Sequence, residues 1–239
     1  DEPIDLLFRA FCEPSRDLAL IFPPTYGMYK VAAGINNIKT VEVPLTKNFQ
    51  IDFPLSGKYF KNKNLKLIFI CSPNNPTGNL MHNTVIKKIC TGFNGIVALD
   101  EAYTDFCPGH SLLPELYNYP NLVILQTFSK AWGMAGARLG MAFASEEIIH
   151  VLNNIKAPYN VNSLTQNVIS ECVKDEKKKN NIVHKIITQK NFLYKKLSEM
   201  KIVKKVFPSD ANFLLVEFIN ARNVFEFLQA KGIIVRNRS

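Results

Sequence analysis

The sequence predicts an α/β fold: a mostly parallel sheet covered by helices, with part of a smaller α+β unit after it. Three observations carry this. Short, β-rich apolar runs alternate with segments of helical period. Polar clusters fall just after the ends of those runs, where open parallel sheets bind ligands. Past Gly140 the alternation gives way to long polar helices. With 239 residues, the chain is long enough to bury a large core.

Each element follows from local pattern. Ile4, Leu7, Phe8 and Phe11 recur at helical spacing and predict a helix over about Ile4 to Cys12, ended by Glu13-Pro14-Ser15. Leu18 to Phe22 reads as a buried strand, closed by Pro23-Pro24-Thr25-Tyr26-Gly27. A helix to about Ala33 and a strand from Ile38 to Val43 follow, and residues 44–64 read as polar loop. Leu65 to Cys71 is a strand that enters Ser72-Pro73-Asn74-Asn75-Pro76-Thr77-Gly78. A helix near His82 to Cys90 leads to a strand from Gly95 to Leu99 and then Asp100-Glu101-Ala102-Tyr103. Asn121 to Thr127 is the next strand, ending at Phe128-Ser129-Lys130, and Arg138 to Phe143 is a last short one. Residues 146–200 are mostly helical. Val203 to Phe207, Asn212 to Phe218 and Gly232 to Val235 then read as strands around a helix from Arg222 to Lys231. The predicted division is residues 1–155 for the large domain and 156–239 for connecting helices and an incomplete small domain.

Composition excludes several classes. Apolar residues at 47% and charged residues at 21% are those of a globular chain and exclude a largely disordered one. Apolar runs of about five residues fall well short of the roughly 20 that a membrane span needs. The net charge of +9 could serve nucleic acid, anionic lipid or phosphorylated substrates. Much of it lies on Lys-rich polar helices without an aromatic RNA-binding stretch, which favours a solvated face. The five cysteines, Cys12, Cys71, Cys90, Cys107 and Cys172, include no C-x-x-C pair and suggest a reducing, cytoplasmic setting. The four histidines do not cluster with them, so no metal site is expected. The opening at Asp1-Glu2-Pro3 and the stop inside a predicted strand suggest the middle of a longer protein.

Three residues stand out chemically. Lys130 follows a buried strand among Thr127, Ser129, Gly133 and Gly136, with Arg138 downstream. A lysine there is ordinarily a solvated charge. Hydroxyls, glycines and a guanidinium suited to phosphate also allow a Schiff base with a phosphorylated aldehyde such as pyridoxal phosphate. Asp100 ends a buried strand, where a carboxylate is costly unless paired. It is either a turn residue or the partner of a pyridinium nitrogen, with Tyr103 in reach of the same ring's phenolic oxygen. Asn75 is either an ordinary Asn-Pro turn residue or an amide donor to a phenolate.

Pro73-Asn74-Asn75-Pro76-Thr77-Gly78, Asp100-Glu101-Ala102-Tyr103 and Thr127-Phe128-Ser129-Lys130 with Arg138, in that order, resemble the fold-type I aminotransferases of class I/II. Asp1-Glu2, Phe8-Arg9-Ala10-Phe11-Cys12-Glu13-Pro14, Pro23 to Tyr29 and Ala157 to Asn162 are similar to the histidinol-phosphate aminotransferase branch. The resemblance covers essentially the whole chain. It implies pyridoxal 5'-phosphate as cofactor, with Lys130 bonded to it and shuttling the substrate proton. Asp100 would pair with the ring nitrogen, Asn75 and Tyr103 would contact the ring's phenolic oxygen, and Tyr26 would stack on the ring. Thr127, Ser129 and Arg138, with Asp1 and Glu2, would hold the cofactor phosphate. Arg236 and Asn75 would contact substrate. The implied substrates are histidinol phosphate and glutamate or 2-oxoglutarate, acted on by a cytoplasmic homodimer with no nucleic-acid or membrane partner. Aromatic aminotransferases and a threonine-phosphate decarboxylase share these motifs and stand as alternatives. A non-catalytic basic binding module is a remoter one.

Overall fold

The computed structural model describes residues 1–238. A six-stranded sheet forms its centre, in the order β2-β1-β3-β4-β5-β6. The strands are β1 Leu18–Ile21, β2 Lys39–Glu42, β3 Leu65–Cys71, β4 Ile96–Asp100, β5 Leu122–Thr127 and β6 Gly140–Phe143. The first five run parallel and β6 is antiparallel to β5. Successive side chains of a strand point to opposite faces. In β3, Leu67, Phe69 and Cys71 enter one core, and Ile68 and Ile70 enter the other. Both faces are therefore covered, which is why these strands read as continuous apolar runs.

Helices α1 Glu2–Phe11, α2 Met28–Ile35 and α5 Glu146–Ile155 pack on the first face. Helix α4 Asn83–Gly92 packs on the second, contributing Ile86, Ile89 and Cys90. Helix α3 Phe53–Gly57 lies inside the stretch expected as loop. Its five residues are too few to show a period, and the Asp52 carboxylate caps it by accepting from the amide of Leu55 at 2.9 Å. Helices α6 Ser163–Cys172 and α7 Glu176–Ser198 complete the helical stretch expected over residues 146–200.

The smaller sheet differs from expectation. It pairs β7 Val203–Val206 with β8 Val216–Phe218, antiparallel, beside helix α8 Ala221–Ala230. Residues 212–214 stay outside the pairing, while the carbonyl of Leu215 accepts from the amide of Phe207 at 2.9 Å, so the second strand is shorter than its apolar run. Residues 232–235 form no strand. Gly232, at φ +74°, turns the chain back so that the amide of Ile233 donates to the carbonyl of Leu228 at 2.9 Å, closing α8. Likewise β6 begins at Gly140, because Arg138 sits in the left-handed region (φ 55°, ψ 41°) and breaks the extended run.

Register aligns the functional ends. Cys71 of β3 lies beside Asp100 of β4, and Asp100 beside Leu125 of β5. The turns after β3, β4 and β5 thus emerge together at the carboxyl edge of the sheet.

Candidate active site

A cavity of about 1400 Å³ opens at that edge, lined by the strand ends, the start of α1 and the segment from Phe207 to Phe218. Asp100, Tyr103, Asn75, Lys130, Thr127, Ser129, Arg138, Tyr26, Asp1 and Arg236 all line it. Glu2 does not; its carboxylate accepts from Asn160 Nδ2 at 3.2 Å on the outer surface. All the residues predicted for the site except Glu2 are therefore brought to one cavity.

Asp100 is buried, at 7% exposure. Its Oδ2 accepts from the Tyr29 hydroxyl at 2.7 Å and its Oδ1 from the amide of Ala102 at 3.0 Å. Burial pushes the carboxyl above its ordinary range, and the Tyr29 and Ala102 donors, then Lys130, work against that rise. The Asn75 Nδ2 donates to the Tyr103 hydroxyl oxygen at 3.1 Å. Burial raises the Tyr103 phenol to about 12, so at neutral pH it keeps a hydrogen to donate. Lys130 Nζ lies 5.3 Å over the centre of the Tyr103 ring.

The β5 turn forms the opposite wall. The Thr127 hydroxyl donates to the carbonyl of Leu139 at 3.3 Å and accepts from the amide of Ser129 at 3.0 Å. Arg138 spends one guanidinium hydrogen on the carbonyl of Ala135 at 3.1 Å. Arg138 and Ser129 both line the cavity, a pair suited to an anion. The Tyr26 hydroxyl donates to Asp1 Oδ1 at 3.0 Å, and its ring stands edge-on to Tyr29, centroids 5.6 Å apart.

Two groups of residues here escaped sequence reasoning. Tyr29 is one; the sequence offered it only as the last residue of the Pro23 to Tyr29 stretch, with no role assigned. The other is the segment after β7. The amide of Asp210 donates to the carbonyl of Gly78 at 2.7 Å, and its Oδ2 accepts from the amide of Leu80 at 2.9 Å, closing the Asn75 turn. Phe213 packs edge-on against Tyr103 at 5.1 Å. A second guanidinium, Arg238, reaches Asn75 Oδ1 at 3.4 Å.

The residues fit pyridoxal phosphate on geometry alone. Among the described residues neither Asp100 nor Lys130 forms an ion pair. A buried carboxylate bordering a cavity calls for a cationic partner from the ligand, which a pyridinium nitrogen supplies. The amine, the Tyr103–Asn75 pair and the Ser129–Arg138 wall suit an aldehyde, a phenolate and a phosphate.

Known proteins point the same way. The family described as Aminotransferase class I and II matches residues 1–239. The histidinol-phosphate aminotransferases of Cytophaga hutchinsonii and Parabacteroides distasonis are 51% and 52% identical over 239 residues, all of this chain and 68% and 69% of those proteins. The crystal structure of histidinol-phosphate aminotransferase from Sinorhizobium meliloti, in complex with pyridoxal-5'-phosphate, superposes with a TM-score of 0.89 at 20% identity. That match covers 98% of this chain and 65% of the other. On this match across its whole length, the chain belongs to the class I and II aminotransferases, within the histidinol-phosphate aminotransferase family.

Proposed function

We propose that this chain carries the active site of a histidinol-phosphate transaminase, moving an amino group between glutamate and imidazole-acetol phosphate. The observation that carries it is the convergence of Lys130, Asp100 and the Asn75–Tyr103 pair on one cavity at the carboxyl edge of the sheet. Relatives at about half identity across the whole chain bear histidinol phosphate in their name, which favours this reaction over the threonine-phosphate decarboxylase.

Pyridoxal phosphate, when bound, supplies an electron sink for the charge that develops at the substrate α-carbon. The protein's part is positioning and proton transfer. Asp100 would keep the ring nitrogen protonated, and Tyr103 and Asn75 would donate to the phenolic oxygen. Ser129 and Arg138 would hold the phosphate, on a turn that Thr127 braces through the Leu139 carbonyl and the Ser129 amide, with Asp1 at the rim, and Tyr26 would cover a ring face. The Lys130 Nζ removes and returns the proton of the α-carbon, a general acid–base role. Arg236, on the cavity wall, takes the substrate's anionic end. We further infer a cytoplasmic homodimer, and a division near residue 155 between the cofactor-binding part and the smaller unit.

The test is a comparison of amino donors in the full-length protein. Histidinol phosphate should convert bound cofactor to its amine form with concomitant loss of visible absorbance. Free histidinol should do so with a much lower kcat/KM, because anion-binding groups left unmatched cost affinity. Carbon dioxide release from phosphothreonine, with no reaction of histidinol phosphate, would contradict the proposal.

A further inference from the structure

We propose that Tyr29 is a positioning residue for the reaction: its hydroxyl fixes the plane and basicity of the Asp100 carboxylate where that group meets the cofactor's ring nitrogen. This rests on the functional reading above. Tyr29 is fully buried, its ring stacked on Phe69 (centroids 4.9 Å apart, planes at 17°) and edge-on to Tyr26. Those contacts lock the ring and aim its hydroxyl at Asp100 Oδ2, 2.7 Å away. The amide of Ala102 holds the other oxygen. One donor on each oxygen defines the carboxylate plane and leaves each oxygen a further lone pair. The amide alone would leave Asp100 free to rotate about its last bond.

The chemistry runs the same way. Burial makes Asp100 more basic, and the Tyr29 hydrogen bond to its charged form opposes that. Burial, and then Asp100 itself, push the Tyr29 phenol well above its ordinary value, so it remains a donor. The other groups facing Asp100 are Tyr26, Cys71, Tyr103, Lys130 and Asp1. Burial pushes Tyr26, Cys71 and Tyr103 up, so they stay neutral in the working range. Glu101 is directed away, held by Ser111, Leu112 and Gln126. Without the Tyr29 hydroxyl the carboxylate would draw the shared proton off the ring nitrogen. The ring would then be a weaker electron sink, and the lysine-bound cofactor would change its absorbance at higher pH.

Tyr29→Phe removes the hydroxyl and keeps the ring. In full-length protein at saturating pyridoxal phosphate, the pH midpoint of the visible absorbance should rise by about half a unit or more. The half-reaction with histidinol phosphate should slow about tenfold, the loss expected for one hydrogen bond to a charged group. Ala33→Gly loosens the same helix while leaving the hydroxyl in place, so it should lower Tm without moving the midpoint. An unchanged midpoint in Tyr29→Phe would overturn the role of Tyr29, as would an equal shift in Ala33→Gly. Failure of the unaltered protein to show lysine-bound cofactor would instead overturn the functional reading itself.

Discussion

Asp100 illustrates what a single residue contributes here. A carboxylate at 7% exposure, with two protein donors and no cation bonded to it among the described residues, is poised for a cation from a ligand. Asp100→Ala should leave part of the cofactor bound through the phosphate wall but slow the half-reaction by about 10² to 10⁴. Rapid-mixing absorbance checks this, and an unchanged rate would make the carboxylate structural only. On the proposed function, Arg236 contacts substrate rather than cofactor. Arg236→Ala should lower kcat/KM by about 10- to 100-fold, the loss of a charge-assisted hydrogen bond, with cofactor absorbance intact. Loss of cofactor binding, or unaltered kinetics, would assign Arg236 elsewhere. Lys130, Asp100 and Tyr103 were legible because each follows a recognisable strand within a few residues. Tyr29 was not, since its partner lies 71 residues away and only the packed sheet brings α2 beneath β4.

At the scale of elements, the turn bearing Asn75 is closed from the far end of the chain. Gly78 has φ +82°, and a Cβ there would lie 2.5 Å from Ser209 Oγ and 2.8 Å from Ser209 Cβ. Lys190 of α7 straddles the facing segment, donating to the carbonyls of Ser209 and Ala211, the latter at 2.8 Å. Burial lowers its amine from the ordinary value, a sign of how far the clamp is drawn from water. Gly78→Ala should therefore destabilise the fold by about 1–3 kcal/mol, through positive φ and the Ser209 clash together. It should also weaken cofactor binding by displacing Asn75. Thermal unfolding and cofactor titration read the two effects; a variant as stable as the unaltered protein would show that the bracket carries no load. The parallel strands were legible because burial on both faces makes them uniformly apolar. The sequence misled where pairing decides: residues 232–235 have a strand's composition but no strand partner among the described residues, and α3 is shorter than any detectable period.

Across the whole molecule, α/β alternation sets five parallel strands side by side, and register brings their turns to one edge. Many of the lysines of α7 are exposed, while the cavity's own chemistry comes from the strand ends. Substrate identity was legible from resemblance rather than from shape, since related folds host different reactions on the same cofactor frame. The central claim is that this edge binds pyridoxal phosphate through Lys130, and one measurement tests it most directly. The full-length protein is loaded with pyridoxal phosphate, reduced with borohydride, digested and mapped by mass spectrometry. The predicted result is a single pyridoxyl label on Lys130, with visible absorbance before reduction. A label on another lysine, or one spread across the surface lysines of α7, would contradict it.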